Sequence, residues 1–183
     1  GLVILHEGPE ALTEPAETGL GGDTVTTTAR DTQPKALAPK PGHIVFNENR
    51  KGISFDKIFG PWTDGASRIT ITDPYIRKFH QARNVMEFIE MLIRRKAPED
   101  QVAVHLMTAP DDGNIQEQRE CLDGVAEACT DTGVDFTWAF DGTGSMHARD
   151  ISTDTGWKMV LDRGLDIFQP TPRKTNECKS IGC

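Results

Sequence analysis

The chain has 183 residues, 20 Lys and Arg against 28 Asp and Glu, and a net charge of -8. That length sets one domain with room for an appendage. An acidic chain is repelled on average by phosphate polymers and anionic lipids, so binding to either needs a local basic patch. No apolar run approaches the roughly 18 residues that cross a bilayer. Leu2-Val3-Ile4-Leu5 is too short, and lacks the basic flank, for a signal peptide, so the default setting is cytoplasmic. The cysteines agree with that setting. Cys121 and Cys129 fall in an expected helix and Cys178 and Cys183 in a polar tail, without C-x2-C spacing, and all are read as free thiols. A start at Gly1 rather than Met reads as the C-terminal part of something longer.

In chain order, Leu2-Val3-Ile4-Leu5 reads as the last strand of an upstream domain. From Glu7 to Lys40 the chain is rich in Thr, Pro, Gly, Ala and Glu and poor in large apolar side chains. Such a segment buries too little to offset its ordering entropy, so residues 1–42 read as a disordered linker. Globular patterning starts at His43. Ile44 and Phe46 alternate with polar neighbours, and Ile58-Phe59 precede a stop at Gly60-Pro61, a short helix. Arg68 to Thr72 alternates and is β-branched, a strand. Asp73 with Pro74 predicts a helix start, and Ile76, Phe79, Met86, Ile89 and Ile93 repeat at helical spacing through Lys96.

Val102, Val104 and Leu106 predict a second strand. A second helix is expected from Asn114 to Asp131, with Ile115, Leu122, Val125 and Cys129 on one face and Gly133 as its stop. Val134, Phe136, Trp138 and Phe140 alternate in a third strand, and Trp157, Met159 and Leu161 in a last one. The order β-α-β-α-β-β predicts an α/β fold, a mixed sheet flanked by helices, over residues 43–170. Residues 171–183 form a tail.

His147-Ala148-Arg149 and Asp154 make an H-x-R-x4-D pattern after the third strand. On extended backbone, side chains two apart point to one side, so an imidazole and a guanidinium face one spot. Asp154, after a turn, is expected to orient the imidazole. Chemically this suits phosphate: histidine as nucleophile, a cation on the non-bridging oxygens, and an acid fixing the tautomer. The bland alternative is a polar loop with ordinary surface contacts. Asp73 ends a strand, the edge where open α/β sheets bind ligands, and from that edge Tyr75 and Arg77 are expected to reach the same pocket as His147. The bland alternative there is that Asp73 only caps and that Tyr75 and Arg77 pack locally. Arg94-Arg95-Lys96 at a helix end complement its dipole, or join Lys78 and Arg83 in a basic patch. His80, His105 and the three tryptophans read as structural.

The pattern H-x-R-x4-D is one step from the H-x-K-x4-D signature of the phospholipase D superfamily. With the segments Asp73-Pro74-Tyr75-Ile76-Arg77, Gly156-Trp157-Lys158 and Arg163-Gly164-Leu165-Asp166, residues 44–169 resemble the phospholipase-D-like domain found C-terminal to MIT domains. The acidic Thr/Pro linker and the last strand resemble a bacterial version at the end of Lon-type ATPase proteins of phage-defence systems. The resemblance implies a phospholipase-D-like single half-domain and an upstream ATPase or protease domain in the same chain. It implies a homodimer, because the active enzymes combine two such histidines and this chain carries one. His147, Arg149 and Asp154 would then be catalytic, and Asp73, Tyr75, Arg77, His147 and Arg149 ligand-binding. Arg149 replaces Lys, and the Gly-Ser-x-Asn of active members is missing. The tail is shorter than the resemblance predicts, divergent or truncated. The preferred expectation is an accessory domain without catalysis that binds a phosphate-bearing ligand, a lipid head group or nucleic acid. The alternatives are a dimeric phosphodiesterase with His147 as nucleophile and a purely structural assembly module. No metal and no cofactor is assigned.

Overall fold

The computed structural model describes residues 2–6, 39–44 and 54–168. The linker from Glu7 to Ala38 and the tail 171–183 lie outside the described residues, as do Phe46, Cys178 and Cys183. The strands are β1 (Leu2–His6), β2 (Gly42–Ile44), β3 (Arg68–Thr72), β4 (Val102–Thr108), β5 (Val134–Phe140), β6 (Asp150–Thr153) and β7 (Trp157–Leu161). They form one mixed sheet in the order β2-β1-β7-β6-β3-β4-β5. β3, β4 and β5 are parallel, and every other neighbouring pair is antiparallel. The helices are two short turns, α1 (Phe55–Ile58) and α2 (Gly60–Thr63), then the two crossover helices α3 (Phe79–Arg95) and α4 (Ile115–Ala128).

The alternation read from the sequence is the core pattern. One row of paired residues runs across the sheet through Ile4, Met159, Ile151, Ile71, Leu106 and Trp138. Its first five members are buried, on the face that α3 and α4 cover. Phe55, Phe59 and Phe88 fill the space between the short turns and α3, with ring centroids 5.5 to 6.5 Å apart. Each such ring removes roughly 150–250 Å² from water.

Three expectations need correction. The strand at Leu2–Leu5 belongs to this sheet: β1 pairs with β7 along its whole length, and Leu2 and Ile4 are buried in the common core. A further strand, β6, lies between β3 and β7 and is part of neither flanking expectation. Asp73 does not cap α3. Its Oδ1 accepts a hydrogen bond from the Tyr75 N–H at 3.0 Å and closes a local turn. The helix starts six residues later, where the Gln81 Oε1 accepts from the Lys78 and Arg77 N–H groups at 3.0 and 2.9 Å.

Three arginines of α3 are engaged locally. Arg94 pairs with Asp56 at 2.9 Å, Arg95 forks onto Asp64 with its Nε at 2.8 Å, and Arg83 meets Glu87 at 3.3 Å. Arg83, Arg94 and Arg95 are thus each paired with a carboxylate. Cys121 and Cys129 are free thiols.

Candidate functional site

Parallel β3, β4 and β5 end on one side of the sheet, and antiparallel β6 starts on that same side. The loops gathered there are 73–78, 109–114, 141–149 and 162–166. Three of the predicted ligand residues meet among them. The Arg149 guanidinium lies over the Tyr75 ring, 4.1 Å from its centroid, and the Arg77 guanidinium lies 5.7 Å from the same centroid. An aromatic face attracts cations through its quadrupole, so both guanidinium groups lie against the one Tyr75 ring. Tyr75 is 41% exposed, so this cluster is open to a ligand.

Each arginine is also fixed by a carbonyl. Arg149 Nη1 donates to the Asp162 carbonyl at 2.6 Å, and Arg77 Nε donates to the Pro74 carbonyl at 3.3 Å. A guanidinium has five N–H donors in a planar fork, and one such bond leaves the others for an acceptor in front of the ring.

Asp73 sits behind this cluster and is 4% exposed. Burial raises its pKa above the ordinary carboxylate value. The Tyr75 N–H, the Arg149 charge and the Leu165 N–H act in the opposite direction, and Asp166 adds to the rise. It therefore serves the site as a buried support for the turn and a countercharge to Arg149.

The 3-10 turn Gly164–Phe168 closes over Asp73. Gly164 has φ +59, and a Cβ there would overlap the Asp73 carboxylate. Asp166 accepts from Gln81 Nε2 at 3.0 Å and from Asn84 Nδ2 at 2.8 Å, which ties the turn to the start of α3. Gln118, 1% exposed, links the loops from below. Its Nε2 donates to the Ile76 and Ala109 carbonyls at 2.7 and 2.9 Å, and its Oε1 accepts from the Asp111 N–H at 2.8 Å. Gln118, Gln81 and Asp162 are site-building residues absent from the sequence expectation. A polar Gln118 within the apolar face of α4 was the available signal.

His147 and Asp154 do not come together. His147 is exposed and makes no side-chain hydrogen bond, ion pair or ring contact among the described residues. Asp154 follows β6, and a rise of roughly 3.3 Å per residue puts it on the order of 16 Å from Arg149. There it accepts from the Ser67 hydroxyl at 2.6 Å and the Ser67 N–H at 3.1 Å. Partial burial acts to raise its pKa, but the bonds from Ser67 and Arg68 outweigh that and lower it. The expected acid–imidazole pair is thus replaced by a brace joining the far ends of β3 and β6. No group of three or more metal-ligating side chains occurs among the described residues, and no helix there is long and apolar enough to cross a membrane.

Comparison with known proteins follows the same lines. Residues 52–181 match the family described as the phospholipase D-like domain at the C-terminus of MIT. The chain is similar to mouse MIT domain-containing protein 1, at 31% identity over 128 residues, 69% of this chain and 50% of that protein. It thus spans about half the length of this curated relative. The family match begins after β2, so β1 and β2 lie outside it although β1 is buried in the sheet.

Proposed function

The chain belongs to the family of phospholipase D-like domains at the C-terminus of MIT, and on that footing we propose that it binds a phosphate-bearing ligand without hydrolysing it. The observation that carries this reading is the pair of guanidinium groups on Tyr75 at the carboxyl end of β3. Guanidinium forks match the geometry of phosphate oxygens, and carbonyl anchors hold them in place before the ligand arrives. His147 stands two residues before Arg149 on the same loop and is exposed.

The absence of turnover is supported by chemistry as well as geometry. A histidine nucleophile needs its tautomer fixed and a second acid for the leaving group. Asp154 is committed to Ser67 at the other end of β6. The single motif leaves the second acid to another copy of the chain.

The test is calorimetric titration with inorganic phosphate, a soluble phosphorylated inositol head group and a short single-stranded oligonucleotide. The phosphate reading predicts saturable binding that Arg149→Ala and Arg77→Ala each weaken about tenfold or more, the loss of one charge-assisted hydrogen bond. The head-group and oligonucleotide arms separate a lipid source from a nucleic-acid source. Equal affinity in both variants and wild type would remove the proposal.

A further inference from the structure

The core row that crosses the sheet does not end in the core. Its last member, Trp138, stands on β5, which among the described residues is an edge strand with β4 as its one neighbour. Trp138 is half-buried, whereas Leu106 beside it is fully buried. Natural edges are blunted by proline, lysine or bulges. The β5 sequence, Val-Asp-Phe-Thr-Trp-Ala-Phe, has none of these and carries one charge, Asp135.

The register shows which backbone groups of β5 face away from β4. The Asp141 N–H donates to the Thr108 carbonyl and the Gly133 carbonyl accepts from Val102, so the odd-numbered residues of this stretch face β4. By the alternation of a parallel ladder, the N–H and C=O groups of Phe136, Trp138 and Phe140 point away from the sheet. Outside β5 lies an open groove of about 610 Å³ between that strand and α4, with Arg119 and Asp123 on its helical wall.

Its polar groups are arranged asymmetrically. Trp138 Nε1 donates to Asp123 at 3.0 Å, which fixes the indole and occupies that carboxylate. The Arg119 guanidinium lies 5.0 Å from the Phe140 ring centroid and 5.9 Å from that of Trp138. It has no ion-pair partner among the described residues. A cation is therefore held at the Phe140 end of an apolar strip, two residues beyond the end of the core row.

We propose that the β5 edge takes an extended peptide segment of a partner protein, which pairs as an additional strand. It sets an apolar side chain against Trp138 and, two residues away on the same face, a carboxylate against Arg119. The backbone row supplies affinity, and the two side-chain positions supply selection. Side chains two apart on a strand share a face, so this apolar-x-acidic spacing follows from the separation of Trp138 and Phe140. This surface is separate from the Tyr75 cluster and does not depend on the phosphate reading.

The experiment titrates the ¹⁵N-labelled chain with a capped nine-residue valine/threonine peptide carrying glutamate two residues from its central valine. Glutamine and backbone N-methylated analogues run beside it. The proposal predicts saturable amide shifts at Phe136, Trp138 and Phe140, about fivefold weaker binding of the glutamine analogue, and no binding of the N-methylated one. Arg119→Gln, an exposed site, should erase the difference between glutamate and glutamine peptides. Absent or non-saturable β5 shifts, or equal binding of the N-methylated peptide, would overturn it. So would a dimer in sedimentation whose dissociation on dilution shifts the Phe136, Trp138 and Phe140 amides, the sign that β5 pairs instead with β5 of a second copy.

Discussion

Replacing Gly164 by alanine tests how the site is supported, with Gly65→Ala as the matched control. Both glycines have left-handed backbone, φ +59 and φ +75. A Cβ on Gly65 meets nothing within 4 Å, whereas one on Gly164 lands on the Asp73 carboxylate. Alanine in that backbone region costs about 1–2 kcal/mol, and Gly65→Ala should cost no more than that. Gly164→Ala adds the displacement of a buried carboxylate that accepts from the Tyr75 N–H. Losing a charge-assisted bond in a buried turn adds about 2 kcal/mol. Urea denaturation should therefore separate the variants by about 2 kcal/mol. Phosphate affinity should fall in Gly164→Ala alone, because Asp73, Tyr75 and Arg149 move together. Equal destabilisation in the two variants, or unchanged phosphate binding in Gly164→Ala, would refute the account of the turn as a support.

Asp154→Asn should cost about 1 kcal/mol near neutral pH, reduced by exposure from the usual value for charged hydrogen bonds. Phosphate binding should be unaffected, which a calorimetric titration checks. The folded-state pKa of Asp154 is lowered. Its contribution is complete above the ordinary carboxylate pKa of about 3.9 and disappears as pH falls through the folded value. The stability gap between wild type and Asp154→Asn should thus close on acidification, and a gap that widens would contradict the assignment. Gln118→Ala leaves the Ile76 and Ala109 carbonyls and the Asp111 N–H without their partner. About 3 kcal/mol of stability should be lost in denaturant melts, with weaker phosphate binding because the 73–78 loop loosens.

The parallel half of the sheet was legible because its apolar residues alternate strictly, as in Val102, Val104 and Leu106, and one face of each strand is buried. β6 was not legible. Asp-Ile-Ser-Thr offers one large apolar side chain, and its place comes from pairing with β3 and β7 on either side. The attachment of β1 to β7 is a contact across most of the chain and leaves no local signal. Asp73-Pro74 carries both marks of a helix start, yet tertiary contact with the Gly164 turn claims the carboxylate first. In the site, Tyr75, Arg77 and Arg149 could be grouped because strand ends gather loops. Asp154 was misplaced because the unseen strand β6 carries it to the opposite end of the sheet.

The central claim is a phosphate site without turnover, and ³¹P NMR of a simple phosphodiester incubated with the chain tests it most directly. The diester resonance is expected to broaden with added protein, to regain its sharpness in Arg149→Ala, and to yield no monoester over days. A growing monoester resonance that is absent with His147→Ala would contradict it.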